Sequence, residues 1–388
     1  MNNCALICEY NPFHSGHKYQ LDAVRSHDVD NIYCIMSGSF VQSAMPAFCD
    51  KALRARCAVL GGCDAVIELP TLYATSSAGF FARGGVKIAS KIPHIKMLAM
   101  GATASRDEIL YISDIKIKRK AELDAAIKKQ LDCGKSYNYA VSAALAEIAS
   151  GELSYKFSSA ALDEPNNMLC IEYICAINEL APNIEPLIIK RIGATHNNSE
   201  IDNNYQHISA TAIRNGFCEH GIKRYLPYLY DELSDFRRDH APDTVAYEKI
   251  LLYALKSSSR DKIKRLRHCS EGMENMFDVQ YGTFSEYSDA PSFRRFGKKR
   301  LRRLFLDAVL DAKKEYYDYE FCTRLLACKK DFDLSLLPQN VFANNGELKA
   351  CANVQAQTVL GVDERASSLY NTLCGLDGGY RNYSLVKV

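Results

Sequence analysis

The chain is predicted to be an α/β protein, a doubly wound parallel sheet followed by a mainly α-helical C-terminal region. Three observations carry this. Short apolar runs recur through the first two hundred residues and alternate with segments of helical character. Each run stops at a polar residue, a proline or a glycine. After Phe217 the alternation fades and amphipathic helical patterning replaces it.

The elements follow in order. Asn3–Glu9 reads as a strand, because an apolar run this short is the signature of a strand buried on both faces. Gly16–Ser26 is a helix, Asn31–Ser37 a second strand and Asp50–Leu60 a second helix. Ala65–Leu69 is a third strand, stopped by Pro70, and Ser76–Ser90 is helical with glycine interruptions. Ile95–Met100 is a fourth strand closed by Gly101. Arg106–Leu162 reads as mostly helical, and Asn166–Glu179 as a further helix. Pro186–Ile192 is a fifth strand, and Ala210–Gly216 opens another helix. Residues 245–330 read as amphipathic helices, and Asn340–Val388 as short strands with a helix near Asp363–Leu373. Ligands of such sheets bind beyond the carboxyl ends of the strands, here Glu9, Ser37, Pro70 and Gly101.

A length of 388 residues suggests two domains, placed at 1–225 and 226–388. Hydrophobic content of 47% and charged content of 24% are those of a soluble globular protein. No stretch approaches the roughly 18 apolar residues of a membrane helix, and a cytoplasmic location is expected. The fifteen cysteines are scattered without a Cys-x-x-Cys pair, which disfavours a zinc ribbon or a thioredoxin-type site. The net charge of +2 exerts no global pull on nucleic acid. Locally, however, 262–268 and 293–303 are strongly basic.

The first strand runs into Asn11-Pro12-Phe13-His14-Ser15-Gly16-His17, which sets two imidazoles at the start of a helix. Helix N-termini offer unpaired N–H groups and partial positive charge to phosphates. Imidazole donors there can stabilise the charge that gathers when the α–β bond of a triphosphate breaks. Gly16 is expected to let the backbone approach phosphate. A zinc site on the two histidines lacks companion ligands. A second motif, Ile208-Ser209-Ala210-Thr211-Ala212-Ile213-Arg214, puts a capping serine, a hydroxyl and an arginine on one helical turn, a clamp for β- and γ-phosphates.

His-x-Gly-His after Asn-Pro-Phe, followed later by Ile-Ser-x-Thr-x-x-Arg, resembles the nucleotidylyltransferase superfamily with its Rossmann-like HIGH-type fold. Glu9–His14, Met36–Gln42, Asp50-Lys51, Asp64–Pro70, Pro165–Leu169, Lys190–Ala194 and Ser209–Arg214 resemble, more narrowly, the tRNA(Met) cytidine acetate ligase family. Weaker likenesses continue at Arg294–Phe296, Arg300–Leu304 and Asp363–Ala366. The stretch after Val41-Gln42 departs from the family pattern, reading Ser43-Ala44-Met45-Pro46, as do Ala102-Thr103 and Phe296-Gly297.

The resemblance implies an activity. ATP and acetate would give acetyl-adenylate and pyrophosphate, and the acetyl group would pass to N4 of the wobble cytidine, C34, of elongator tRNA(Met). It also implies site residues. His14, His17, Thr211 and Arg214 would be catalytic. The nucleotide would be bound by Ile7, Cys8, Glu9, Tyr10, Asn11, Pro12, Phe13, His14, Ser15, Gly16, His17, Lys18, Tyr19 and Gln20, with Gly101, Asn167 (or its neighbour Asn166), Arg191, Ile192 and Ser209. Mg²⁺ is expected as the triphosphate's counterion, with no dedicated metal ligands legible. Arg294, Arg295, Lys298, Lys299, Arg300, Arg302 and Arg303, interleaved with Phe293, Phe296 and Phe305, are expected to track RNA phosphates. Two alternatives stay open at this level: a small-molecule adenylyltransferase, or an RNA-binding protein with a decayed nucleotide site.

Overall fold

The computed structural model describes residues 1–135, 137–150, 162, 164–192, 206–219, 221–270, 272–378 and 383–388. Residues 136 and 151–161 of the expected helical region, and Gly193-Ala194 of the Lys190–Ala194 motif, lie outside the described residues.

Eight strands form one sheet: β1 (Asn3–Cys8), β2 (Asn31–Ser37), β3 (Ala65–Leu69), β4 (Ile95–Ala102), β5 (Glu185–Lys190), β6 (Thr323–Cys328), β7 (Val341–Phe342) and β8 (Val386–Lys387). Their order is β5-β4-β1-β2-β3-β6-β7, with β8 also on β6. The first five are parallel to one another. The chain winds outward from β1 to β3, then returns to lay β4 and β5 on the other side. The winding therefore reverses between β1 and β4, where sheets of this kind open a crevice at their carboxyl ends.

Alternation along the strands explains why both faces are buried. Cys4 and Leu6 of β1, Ile32, Cys34 and Met36 of β2, and Val66 of β3 pack on one side, with Leu21 and Val24 of α1 (Ser15–Arg25) and Ala55 and Val59 of α2 (Lys51–Leu60). Ala5, Tyr33, Ile35, Ala65 and Ile67 point the other way, into a larger core. That core is built with helices Ala78–Ala89, Arg106–Lys118 and Pro165–Leu180 and with the C-terminal helices. Gly85 lets helix Ala78–Ala89 lie directly on β1, since a Cβ there would stand 2.3 Å from Ile7 Cδ1.

The C-terminal half contributes to the same sheet and core. β6 pairs antiparallel with β3, making the sheet mixed, and is wholly buried. One core cluster runs from Ala5 to Cys374. The helices Thr244–Lys256, Lys298–Leu310 and Val354–Cys374 pack against this body. No helix among the described residues is long and apolar enough to cross a membrane. All fifteen cysteines are free.

Candidate active site

A cleft opens at the reversal point, lined from α1 by His14, Gly16, His17, Tyr19 and Gln20. Gly101 of β4, Ile189 to Ile192 at the end of β5, and His207-Ile208 complete it.

His14 is the N-cap of α1 and is 4% exposed. Its Nδ1 accepts from Gly16 N at 3.1 Å, and His17 Nδ1 accepts from His14 N at 3.3 Å. This is a capping box made of imidazoles in place of a hydroxyl and a carboxylate. An accepting Nδ1 on each ring assigns both to the tautomer with hydrogen on Nε2. The rings lie 3.8 Å apart, tilted by 30°. Burial, then the charges of Arg191, His207 and Arg214, push the His14 pKa down to about 3. Burial, His14 and Arg191 also lower His17 well below the usual imidazole range. Both rings are thus neutral at neutral pH, each with one fixed donor.

Gly16 N–H donates to His14, and His17 N and Lys18 N donate to the His14 carbonyl, so the N-terminus of α1 is largely self-capped. Gly16 lines the cleft and is also required by the box itself: a Cβ there would sit 2.9 Å from His14 Cε1.

Arg214 joins the two motifs. It donates to the Asn11 carbonyl at 2.7 Å and to Thr211 Oγ1 at 2.9 Å. Ser209 Oγ caps the short helix Ala210–Asn215 through Ala212 N at 3.0 Å. Asn11 Oδ1 accepts from Phe48 N, pinning the loop after β2. β5 ends at Lys190, two residues earlier than expected, which releases Arg191 and Ile192 to the cleft wall.

Several residues expected at the nucleotide also have packing or bracing contacts. Tyr10 and Phe13 are buried in the core beneath α1, and Ile7 packs under Gly85. Asn167 Oδ1 accepts from Thr103 N and Ala104 N, which braces the turn after β4. Asn166 Nδ2 is the buried amide without a partner among the described residues, so it is the available donor of the two. Lys18 pairs with Asp22 on the surface of α1.

His207 escaped the sequence reading. Its Nδ1 lies 2.9 Å from Ser15 Oγ, bringing a third imidazole to the cleft. Its position two residues before the capping Ser209 was the available signal. The basic stretch divides in two. Arg294, Arg295, Lys298 and Lys299 are exposed, and Arg300 and Arg302 are half-buried. Arg303, expected on the same solvent face, is only 9% exposed and donates to the Gln42 carbonyl at 2.8 Å. Helical periodicity turns it inward, a step a charge count does not register.

Glu9, the carboxylate at the end of β1, accepts from Gln42 N at 2.7 Å. Among the described residues no three His, Cys, Asp or Glu side chains are arranged to hold a metal.

A Rossmann-like sheet with two neutral imidazole donors and two arginines at its reversal point defines a nucleotidyl transferase-type site. The family model for HIGH nucleotidyl transferases matches residues 1–377. The tRNA(Met) cytidine acetate ligase of Clostridium kluyveri is 34% identical over 325 residues, covering 80% of this chain and 79% of that protein. That of Thermosipho africanus is 33% identical over 328 residues, covering 82% and 76%. Crystal structures of Thermotoga maritima TmcAL, apo and bound with alpha-thio ATP, superpose with TM-scores of 0.87 and 0.83 at 25% identity, covering 100% of both chains. The chain belongs to the tRNA(Met) cytidine acetate ligase family.

Proposed function

We infer that the protein joins acetate to ATP and delivers the acetyl group to N4 of C34 in elongator tRNA(Met). The observation that carries this reading is the pair His14 and His17, locked as Nε2–H donors beside Arg191 and Arg214. The alpha-thio ATP complex of the Thermotoga relative and the names of the curated relatives support the substrates.

In the first step a carboxylate oxygen of acetate attacks the α-phosphorus. The bond from that phosphorus to the bridging oxygen breaks, and pyrophosphate leaves with the electron pair. Neutral imidazoles suit this step. They donate to the phosphate oxygens as charge builds and require no proton transfer. Arg191 adds fixed positive charge at the cleft, Arg214 adds charge that acts on His14, and His207 offers a further donor. In the second step N4 of cytosine attacks the acyl carbon, the N4 proton is lost, and AMP departs. Any magnesium arrives with the triphosphate, and no step here depends on it. The exposed Arg294, Arg295, Lys298 and Lys299, with the half-buried Arg300 and Arg302, form the surface that meets RNA phosphates.

The test is incubation with ATP, labelled acetate and unmodified tRNA(Met). Labelled N4-acetylcytidine at position 34 is the expected product. Pyrophosphate release indifferent to acetate would replace this reading with a small-molecule adenylyltransferase. Silence in both assays would replace it with a non-enzymatic RNA-binding role.

A further inference from the structure

The two chemical steps ask opposite things of the cleft. Adenylation needs donors for phosphate, whereas acetyl transfer releases an N4 proton that a base must take. Most of the lining residues can only donate. His14 Nδ1 accepts from Gly16 N, and His17 Nδ1 accepts from His14 N. A main-chain N–H never accepts in return, so both rings keep their hydrogen on Nε2. Lys190 and Arg191 offer donors, and the Tyr19 phenol and Gln20 amide are not bases at neutral pH.

His207 is held differently. It lines the same cleft, with its Nδ1 2.9 Å from Ser15 Oγ, and no other hydrogen bond engages its ring among the described residues. A hydroxyl both donates and accepts. Ser15 can therefore accept from Nδ1–H and leave Nε2 a lone pair, or donate to Nδ1 and leave Nε2–H. The ring stands beside the histidine pair, since a Cβ on Gly16 would meet His14 Cε1 at 2.9 Å and His207 Cβ at 3.7 Å. The Tyr19 ring lies 5.8 Å from it. The titratable groups sharing this wall are His14, His17 and Tyr19 on the α1 side and Lys190 and Arg191 at the end of β5, with no carboxylate among the described lining residues. Burial lowers the His207 pKa, so the ring is neutral at pH 7.

We propose that His207 is the proton acceptor of acetyl transfer, with Ser15 as its positioning residue. This role rests on the function proposed above and gives its second step a base. N4 of cytosine attacks the acetyl carbon, the bond from that carbon to the phosphate oxygen breaks, and AMP leaves with the electron pair. The N4 proton passes to His207 Nε2 while Ser15 Oγ accepts from Nδ1–H. The imidazolium returns the proton to solvent once the products leave. The partners of the three rings divide the work: a main-chain N–H behind His14 and His17 makes donors, and a hydroxyl behind His207 permits a base.

The test supplies the full chain with preformed acetyl-adenylate and unmodified tRNA(Met) and reads single-turnover formation of N4-acetylcytidine between pH 5 and 8. Acetate-dependent ATP–pyrophosphate exchange, tRNA affinity and thermal melting are measured alongside. His207→Gln keeps an amide donor but no base. Its transfer rate is expected to fall about 100-fold, with a much smaller fall in exchange. The wild-type transfer rate should rise with pH through a midpoint below the usual imidazole value and then level off, and the Gln variant should lose that rise. Ser15→Ala should slow transfer about tenfold and keep the rise. Added imidazole should partly restore His207→Ala. A folded His207→Gln that transfers at the wild-type rate, or that keeps the wild-type pH profile, would overturn the proposal. Equal losses of exchange and transfer would also overturn it, leaving His207 a phosphate donor. A wild-type protein that exchanges pyrophosphate without regard to acetate would instead remove the functional reading, and this role with it.

Discussion

Arg214 donates to the main-chain carbonyl of Asn11 at 2.7 Å, closing a separation of 203 residues. The same guanidinium holds Thr211 Oγ1 at 2.9 Å. The two motifs of the site are therefore one assembly, and Arg214 both builds it and supplies it with charge.

Arg214→Lys preserves the charge but not the fork that reaches both partners. Adenylate formation should fall by about two orders of magnitude, with a modest fall in melting temperature. Arg214→Ala should lose more of both. Pyrophosphate exchange and a thermal melt on the same preparations check this. A Lys variant of wild-type rate would mean that charge alone matters.

His17→Asn removes an Nε2–H donor, and adenylate formation should drop by about 10²–10³-fold with tRNA affinity unchanged. Gly16→Ala should be nearly as damaging, because its methyl group collides with the His14 ring. Single-turnover adenylation measures both.

The depressed His14 pKa makes a prediction about stability. The unfolded chain takes up the proton near pH 6.5 and the folded chain only near pH 3. This contribution is therefore complete above about pH 6.5 and is lost as pH falls towards 3, with a slope of up to about 1.4 kcal/mol per pH unit. Urea unfolding at pH 7, 5.5 and 4.5 should show the decline, and His14→Asn should flatten it.

Asp363 runs in the opposite direction. Burial and the Glu68 carboxylate raise its pKa to about 7, while its Oδ1 accepts from Thr71 N at 2.6 Å. The unfolded carboxyl ionises near pH 4, so its contribution is lost as pH rises from about 4 to 7. Asp363→Asn should remove that loss and raise the melting temperature at pH 8 relative to pH 5. Lys51, which pairs with Glu68 at 2.7 Å in the same buried cluster, should not tolerate Met, at a cost of about 3–5 kcal/mol.

Charge reversal of Arg294, Arg295, Lys298 and Lys299 should weaken tRNA binding and flatten its salt dependence, leaving ATP binding intact. Filter binding across a salt series reads the slope. An unchanged slope would move the RNA surface elsewhere.

Much of this was legible because its physics is local. β2 and β3 keep the expected bounds, since a fully buried parallel strand must be a short apolar run closed by a breaker. The histidine pair and the capping Ser209 were legible because caps act within one turn. β6 was not, because Thr323–Cys328 is buried on both faces and shows no alternation that would tell such a strand from a buried helical turn.

By itself, the amino-acid order determined the winding of β1 to β5, the motif pair and the family those motifs resemble. Only the tertiary structure decided that β6 completes the sheet, that Gly16 makes room for the His14 ring, and that Arg303 reaches the Gln42 carbonyl. The reason is range. Strand, helix and cap depend on neighbours a few residues apart, whereas each of these outcomes depends on which distant surface a side chain meets after packing.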